Sequence, residues 1–573
     1  MGTISDKLMR IINTKEDIRQ ALISKGYDVP TSIPFKEYAK MILDLPCKVD
    51  SFLDIEGIVA RYSASGLTNE QMAANPVWVD KTGNGHDLQL KNFAWKGMSG
   101  VGGYVADIDE WGTNSTAAYF ERNSIKITAT FKENVSLGLL YHNIKLRQSC
   151  VLKVTGIPEG CDAFLDDRLG NRFYMSEDGV YEIIPSNFLA EALCFSIEKY
   201  PERWYGSKLT IEQLPLYPGA LVFNGVDDYG VCDNFPILTK EKGYTVVVLR
   251  QWDQDFLNTT LTGGLLSTRN YSTGEGVAFE KIESSNKGYW NLGAGGIIDF
   301  AKSSFTWQTS KQYNNVGILK GDKNHGKPLC VGCGLSGGQQ SGRFAIWELV
   351  FLDHDATEEE LTKIKDYFVK TYPWLFPDEA WTVTGKTNED EDRATIANIT
   401  GNGNDLVLSN FGFAEGSGYN EEGEYAGYLV TDGVDDKITS SIFKMGNDWT
   451  VIGDWELINT GKNDNAGIVK FDSIVIYNYN SMLINIKNGR NILIPDQNTV
   501  NAICSDGRIY SKDWKESIYN EETESTSENF LTIGYSGNVY TKIAFKNLAI
   551  YPTVLSREDC IKAYNYLQTL KSK

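Results

Sequence analysis

The chain has 573 residues, of which 42% are hydrophobic and 12% aromatic, which is too long for a single core and too apolar for a disordered chain, so three or four domains are expected. Its formal net charge of −20 argues against nucleic acid, whose phosphates are held by Lys and Arg, and against anionic membrane surfaces. No apolar run of roughly 18 residues occurs, so no membrane insertion is expected.

The first segment, MGTISDKLMRIINTKED, lacks the continuous apolar core of a secretory signal. The nine cysteines are scattered, mostly in apolar runs. That suits free thiols and sets the expectation of a protein assembled in a reducing cytoplasm. After Asn13, Thr14-x-x-Asp17 forms a near-capping box, Ile18, Ala21 and Leu22 share one helical face, and Gly26 supplies a stop. A second helix is predicted from Pro34 or Phe35, with Tyr38, Ala39, Ile42 and Leu43 on its apolar face. A helical hairpin spanning about residues 1–46 is near the lower size limit for independent stability, so it is expected to dock on something larger.

Beyond it the chain repeats itself. TGNGHDLQLKNF, from Thr82 to Phe93, returns as TGNGNDLVLSNF, from Thr400 to Phe411, at an offset of 318. YSASGLTNE (Tyr62 to Glu70) lies over WTVTGKTNE (Trp381 to Glu389). FNGVDDYG (Phe223 to Gly230) matches TDGVDDKI (Thr431 to Ile438), but at an offset of only 208. The last blocks, LCVGCGLSG over LTIGYSGN and AIWELVFLDHDATEEEL over AFKNLAIYPTVLSREDC, sit at offsets of 202 and 199. The first copy therefore carries about 110 extra residues, long enough to be a domain inserted into a domain. In that interval SIKITATF, SCVLKVTGIP and KLTIEQLP read as strands.

Within each copy Thr-Gly-Asn-Gly can supply the positive φ angles of a tight turn, followed by a strand. Each copy ends in an apolar strand and a short helix opened by a capping box, Thr357-x-x-Glu360 or Ser556-x-x-Asp559. Many strands closed by one small helix point to antiparallel sandwiches of the jelly-roll type. The predicted class is mainly β. The segments are 1–46, a discontinuous sandwich of 52–106 plus 217–376, an inserted β-rich domain of 107–216, and a second sandwich of 377–573.

TGNGxDLxL, GVDDY beside a strand, the Leu-x-[IV]-Gly strand and the closing strand-then-helix resemble laminin-G/concanavalin A-like lectin domains. ISDKLMRIINTKEDIRQALISKGYDVPTSIPFKEYAKMI is similar to an N-terminal module on virion proteins of tailed, crAss-like phages of gut bacteria. That resemblance implies a head-fibre or tail-fibre appendage, localised in the virion and assembled in the bacterial host. Residues 1–46 would dock on other virion proteins through Ile18, Leu22, Phe35, Tyr38 and Ile42. Homo-oligomerisation, as a trimer, follows from the same resemblance and not from any heptad pattern.

Candidate chemistry is sparse. Cys330-x-x-Cys333 invites a zinc or redox reading, but the aligned positions are Thr532 and Tyr535 and no second pair completes four ligands, so structural thiols are expected. Asp227, Asp228, Asp435 and Asp436 recur in both copies. They cap a turn, or they hold calcium, which the lectin resemblance implies as a cofactor. LDIEG (Asp54, Glu56) and ADIDEW (Asp107, Asp109, Glu110) are incomplete as the paired carboxylates of a glycanase. No catalytic residue is assigned. Sugars are held by flat aromatic faces on exposed loops; Trp204 and Tyr205 in YPERWYGSK and Trp111 in DEWGTN are the candidates, while Trp449 reads as core. The expectation is a non-enzymatic protein binding cell-surface or mucus glycans. A ligand-free decoration protein and a capsule depolymerase are the alternatives.

Overall fold

The structure is a computed structural model. It describes residues 55–105, 118–123, 125–132, 140–142, 150–166, 172–183, 193–197, 200–238, 243–253, 256, 261, 263–268, 278–281, 287–290, 297–299, 305–309, 328–335, 339–400, 403–421, 425–441, 446–458, 466–471, 474–478, 482–486, 490–494, 500–511, 514, 516–518, 531–536 and 539–570. The chain forms two compact units, residues 1–56 and 57–573. The predicted helical hairpin with Ile18, Leu22, Phe35, Tyr38 and Ile42 lies outside the described residues, as does Trp111.

The fold is mainly β. In the first sandwich the long strand Arg343–Leu352 is central to one sheet, flanked by Thr245–Trp252 and Leu221–Asn224, with Ile58–Ser63 also antiparallel to it. In the second, Ile543–Tyr551 has the same place, flanked by Thr450–Leu457 and Leu429–Val430, with Glu379–Thr382 in the role of Ile58–Ser63. Even the irregularity is repeated: a bulge falls between Leu249 and Arg250 in one copy and between Asp454 and Trp455 in the other. The facing sheets correspond in the same way. Val77–Trp78, Leu88–Lys91, Tyr229–Cys232, Leu329–Val331 and Gly263–Ser267 follow one another across the first. Thr395–Ile396, Leu406–Ser409, Lys437–Ser440, Thr532–Ile533 and Ala466–Phe471 do so in the second. The sequence repeat is thus a repeat of strand order.

Each sandwich buries the apolar residues between its two sheets. In the first, Leu88, Leu90, Leu266 and Val331 meet Phe223, Val246, Ile346 and Leu349. In the second, Leu406, Ile438 and Ile533 meet Trp381, Val451, Phe545 and Leu548. Alternation explains which side faces inward: Leu88–Lys91 reads buried, exposed, buried, exposed.

Of three α-helices among the described residues, two follow the last strands of the two sandwiches. Helix α1 (Asn69–Ala74) is a short addition in the first copy, capped by Thr68. Helix α2 (Glu358–Thr371) opens with the expected capping box, in which the Thr357 hydroxyl accepts from the Glu360 amide and the Glu360 carboxylate accepts from the Thr357 amide. Helix α3 (Arg557–Gln568) is capped by Ser556, which accepts from the Asp559 amide at 3.1 Å.

Strands between Ala118 and Gln213 pair among themselves, in a five-stranded and a four-stranded sheet. Ile127, Phe131, Leu152, Leu209 and Ile211 of one sheet pack on Ala163, Leu165 and Met175 of the other. This small sandwich enters and leaves at one hairpin. The Leu216 amide donates to the Gly103 carbonyl at 2.9 Å, the Tyr217 amide to Gly102 at 2.8 Å, and Gly102 to Ala220 at 2.8 Å. In the second copy Asn420 bonds to Tyr428 and Gly427 back to Asn420. The six residues 421–426 therefore close the hairpin that residues 103–218 interrupt, a difference equal to the 110-residue shift in repeat offset.

Candidate functional site

The residues that the sequence repeats converge into one hydrogen-bonded lock, present twice. Asn92 and Asn410 sit at φ 67° and 69°, the left-handed region that Asn tolerates better than most residues. From there each side-chain amide donates to the carbonyl of the GVDD turn, Asn92 to Asp227 at 3.0 Å and Asn410 to Asp435 at 2.9 Å. The turn is itself wound around Asn224 or Asp432. The Asn224 side-chain oxygen accepts from the amides of Val226, Asp227 and Asp228. That of Asp432 accepts from Val434, Asp435 and Asp436.

The second Asp of each pair reaches inward. Asp228 accepts from the Asn224 amide and the Ser99 hydroxyl, both at 3.0 Å. Asp436 accepts from the Asp432 amide at 2.7 Å and Ser417 at 3.1 Å. Burial pushes the Asp228 carboxyl up to about 7 and that of Asp436 to about 6, against hydrogen bonds that pull the other way. Asn69 and Asn388 complete the lock by pairing with a backbone residue in both directions. Asn69 accepts from the Val101 amide and donates to its carbonyl, and Asn388 does the same with Tyr419. A Cβ on Gly100 or Gly418 would collide with those Asn oxygens, which is why glycine stands there.

The opening Thr-Gly-Asn-Gly serves a second knot. Thr82 bonds to Asp80 through amide and hydroxyl, and the Asp80 amide donates to Asp87 at 2.8 Å. Thr400, Asn398 and Asp405 repeat those bonds. The carbonyl at the turn's end accepts from the Tyr62 hydroxyl in one copy and the Trp381 indole in the other. Asn69, Asn388, Ser99, Ser417 and Asp432 are not among the candidates that the sequence singles out. The Asn and Ser positions hold the repeat's own offsets of 319 and 318, a signal that was there to use.

These contacts decide what the acidic positions can do. Asp432, Asp435 and Asp436 have carboxylate oxygens within 4.8 Å of one another. Calcium takes six to eight oxygens, yet here both oxygens of Asp436 and one of Asp432 accept amides or a hydroxyl. In the first copy the equivalent of Asp432 is the neutral Asn224. The donor set fits a turn lock and does not fit calcium.

Two other expectations change. Cys330 and Cys333 are joined in a disulfide, not left as thiols, because the strand Leu329–Val331 breaks at Gly332 (φ 89°) before Cys333–Leu335 begins. The break brings the two Cα atoms to 6.1 Å, where an unbroken strand would hold them about 10 Å apart. Cys150, Cys161, Cys232, Cys504 and Cys560 are buried. Glu56 is exposed, while Asp54, Asp107, Asp109 and Glu110 lie outside the described residues.

Trp204 is the second correction. The sequence predicts it on an exposed loop, but it is fully buried, its ring 5.2 Å from that of Phe131 in the core of the inserted domain. It anchors a single 3-10 turn, Pro201–Trp204, by accepting from both the amide and the hydroxyl of Ser207. The tyrosines at either end of that turn, Tyr200 and Tyr205, point outward, and Tyr205 is 59% exposed. Trp449 is buried, as its strand pattern predicts. Among described side chains, the exposed aromatics are Tyr119, Tyr174, Tyr200 and Tyr205, all within the inserted domain.

No family model and no curated protein matches the chain. Among solved structures it is similar to the botulinum neurotoxin serotype D binding domain, at 11% identity and a TM-score of 0.24 over 60% of this chain and 89% of that one. The receptor binding domain of botulinum neurotoxin mosaic serotype C/D gives 11% and 0.24 over 59% and 89%. Trypanosoma rangeli sialidase in complex with sialic acid gives 8% and 0.19 over 79% and 83%. At these values no residue role passes from those proteins to this one.

Proposed function

We propose that this chain is a non-enzymatic carbohydrate-binding protein, built as a phage virion appendage whose sandwiches carry an inserted domain that meets the glycan. One observation carries the binding reading. The scaffold buries or half-buries its other described aromatic rings, yet the inserted domain exposes four tyrosines, and flat aromatic rings with a polar tip are what hold sugar faces. The carboxylates of Asp227, Asp228 and Asp436 accept from the chain's own amides and hydroxyls, which supports binding over hydrolysis. The virion setting is supported by the N-terminal resemblance alone. Docking through residues 1–46, and assembly as a homotrimer, belong to the same proposal.

The test is binding of the fluorescently labelled full chain to encapsulated host cells and to acapsular mutants of the same strain. Saturable binding that requires the capsule is the expected result. Equal binding to both, or none, would leave a decoration protein without ligand as the better reading. Release of new reducing ends from purified capsule would instead make the chain a depolymerase.

A further inference from the structure

We infer that the outer face of the five-stranded sheet in the inserted domain, centred on Tyr119, Lys132 and Tyr205, binds a polysaccharide whose sugar rings carry carboxylates. This rests on the carbohydrate-binding reading above and names its site and ligand class.

The sheet has a buried and an outer face. Ile127, Ala129, Phe131, Leu209 and Ile211 point into the core, so their neighbours in sequence point out. Register places Tyr119 opposite Thr130, and Thr130 opposite Lys208, in one row across three strands. The next row continues with Glu121, Thr128 and Thr210. Thr128 is buried and its hydroxyl lies 3.3 Å from that of Thr210, so the face presents chiefly ring and charged groups at regular strand spacing, which suits an extended chain of rings. The Lys132 ammonium lies 3.9 Å from the centre of the Tyr119 ring, close enough for a cation–π contact. Beside it the backbone of Phe131 is bonded on both sides to the turn that carries Tyr205: the Gly206 amide donates to the Phe131 carbonyl at 3.0 Å, and the Phe131 amide to Ser207 at 3.1 Å. Tyr205 and Lys132 therefore flank the same backbone pair. Around the turn the pairing of ring and cation recurs, with the Arg203 guanidinium 4.5 Å from the Tyr200 ring.

Charge decides the ligand class. The chain as a whole is strongly acidic, whereas on this face Lys126, Lys132 and Lys208 outnumber Glu121 and Glu212. No described carboxylate forms an ion pair with Lys132, Lys208 or Arg203, whereas Lys363, Lys386 and Lys562 each have one. A neutral sugar would use the tyrosine rings and leave the ammonium groups unmatched. A uronic or sialic acid polymer would use both, stacking a ring on Tyr205 and setting its carboxylate against Lys132. Tyr205 is 59% exposed, which leaves ring surface for a sugar.

The test is isothermal titration of the full chain with polygalacturonate, polysialic acid and neutral dextran, at about 0.02 and 0.15 M salt. The expected result is binding of at least one acidic polymer, weaker at the higher salt, and none of dextran. Tyr205→Ala and Lys132→Ala should each weaken that binding roughly tenfold, while Lys132→Arg keeps most of it. Because both positions lie at the surface, an unchanged thermal midpoint will show that the variants fold. Equal affinity for dextran, no affinity for either acidic polymer, or unchanged affinity in both alanine variants would overturn the assignment. If the full chain still bound encapsulated cells in a capsule-dependent way, only this site and ligand class would fall. If it bound neither cells nor polymers, the carbohydrate reading would fall with it.

Discussion

Asp228 and Asp436 are buried carboxyls in matching turns, and their environment makes a pH prediction. Each is raised above its ordinary value of 3.8 by burial, to about 7 and about 6. A group whose folded pKa is raised contributes stability that is fully present below the unfolded value and is lost as pH rises through the folded one. The window is therefore pH 4 to 7 for Asp228 and pH 4 to 6 for Asp436. Asp228→Asn should lower the thermal midpoint at acidic pH, since its new NH2 cannot accept from the Asn224 amide, but should flatten the change between pH 5 and 8. An unaltered pH slope in this variant would contradict the assignment. A second expectation follows from the saturated oxygens of the same turn. Adding calcium or a chelator should shift the midpoint by less than about 1 °C, and a rise of several degrees would restore the calcium site.

Adjacent residues also show where sequence runs out. Trp204 and Tyr205 have the same composition around them, yet one is core and the other surface. What separates them is a single 3-10 turn of four residues, too short to leave a periodic signal. Asp435 and Asp436 were legible as a repeated pair. The turn role is already one of the two readings of that pair, and what the folded backbone adds is the amides that occupy the carboxylate oxygens and set calcium aside.

At the scale of elements, the two sandwiches differ in how they fill one shared position. In the first, Arg61 and Glu348 form a buried ion pair at 3.3 Å, with Tyr372 donating to Glu348 at 2.9 Å and Arg61 donating to Tyr367 at 2.6 Å. Burial raises the Glu348 carboxyl while Arg61 opposes the shift. The pair ties the strand Ile58–Ser63 to the central strand and to the end of α2. In the second copy Ala380 and Asn547 stand at those places, and Asn547 bonds to Gln568 of α3 at 3.3 Å. The second sandwich shows that the fold does without the ions. Arg61→Ala should destabilise the protein by about 3–5 kcal/mol, since it leaves Glu348 buried and unpaired. Arg61→Ala with Glu348→Asn should recover a good part of that loss. Chemical denaturation of the three proteins checks it, and a single variant as stable as the wild type would contradict the coupling.

The capping box of α2, the Ser556 cap of α3 (where the expected box is one-sided) and the alternating strands were readable because their causes are local. The disulfide was not, because Cys330-x-x-Cys333 was read within one strand and the break at Gly332 removes that premise. Strand order was not readable either, since pairing is set by contacts distant in sequence. The repeat supplied the next best thing, a demand that whatever order one copy has, the other shares.

On the scale of the whole molecule, the insertion explains both the length of the chain and the placement of its exposed aromatics. A hairpin closed by six residues in one sandwich holds a complete small sandwich in the other, and both ends stay within hydrogen-bond distance. Such an insertion costs little, because loop-closure entropy grows slowly with length and a folded insert fixes its own ends. In the proposed reading the two sandwiches serve as scaffold for the inserted domain.

The central claim is that this inserted domain does the binding. The most direct measurement replaces residues 103–218 with the six residues EEGEYA that close the same hairpin in the second copy, then compares binding of both proteins to encapsulated cells. The account predicts that the shortened protein keeps two cooperative sandwiches and loses capsule-dependent binding. A folded, shortened protein that binds as well as the full chain would contradict it.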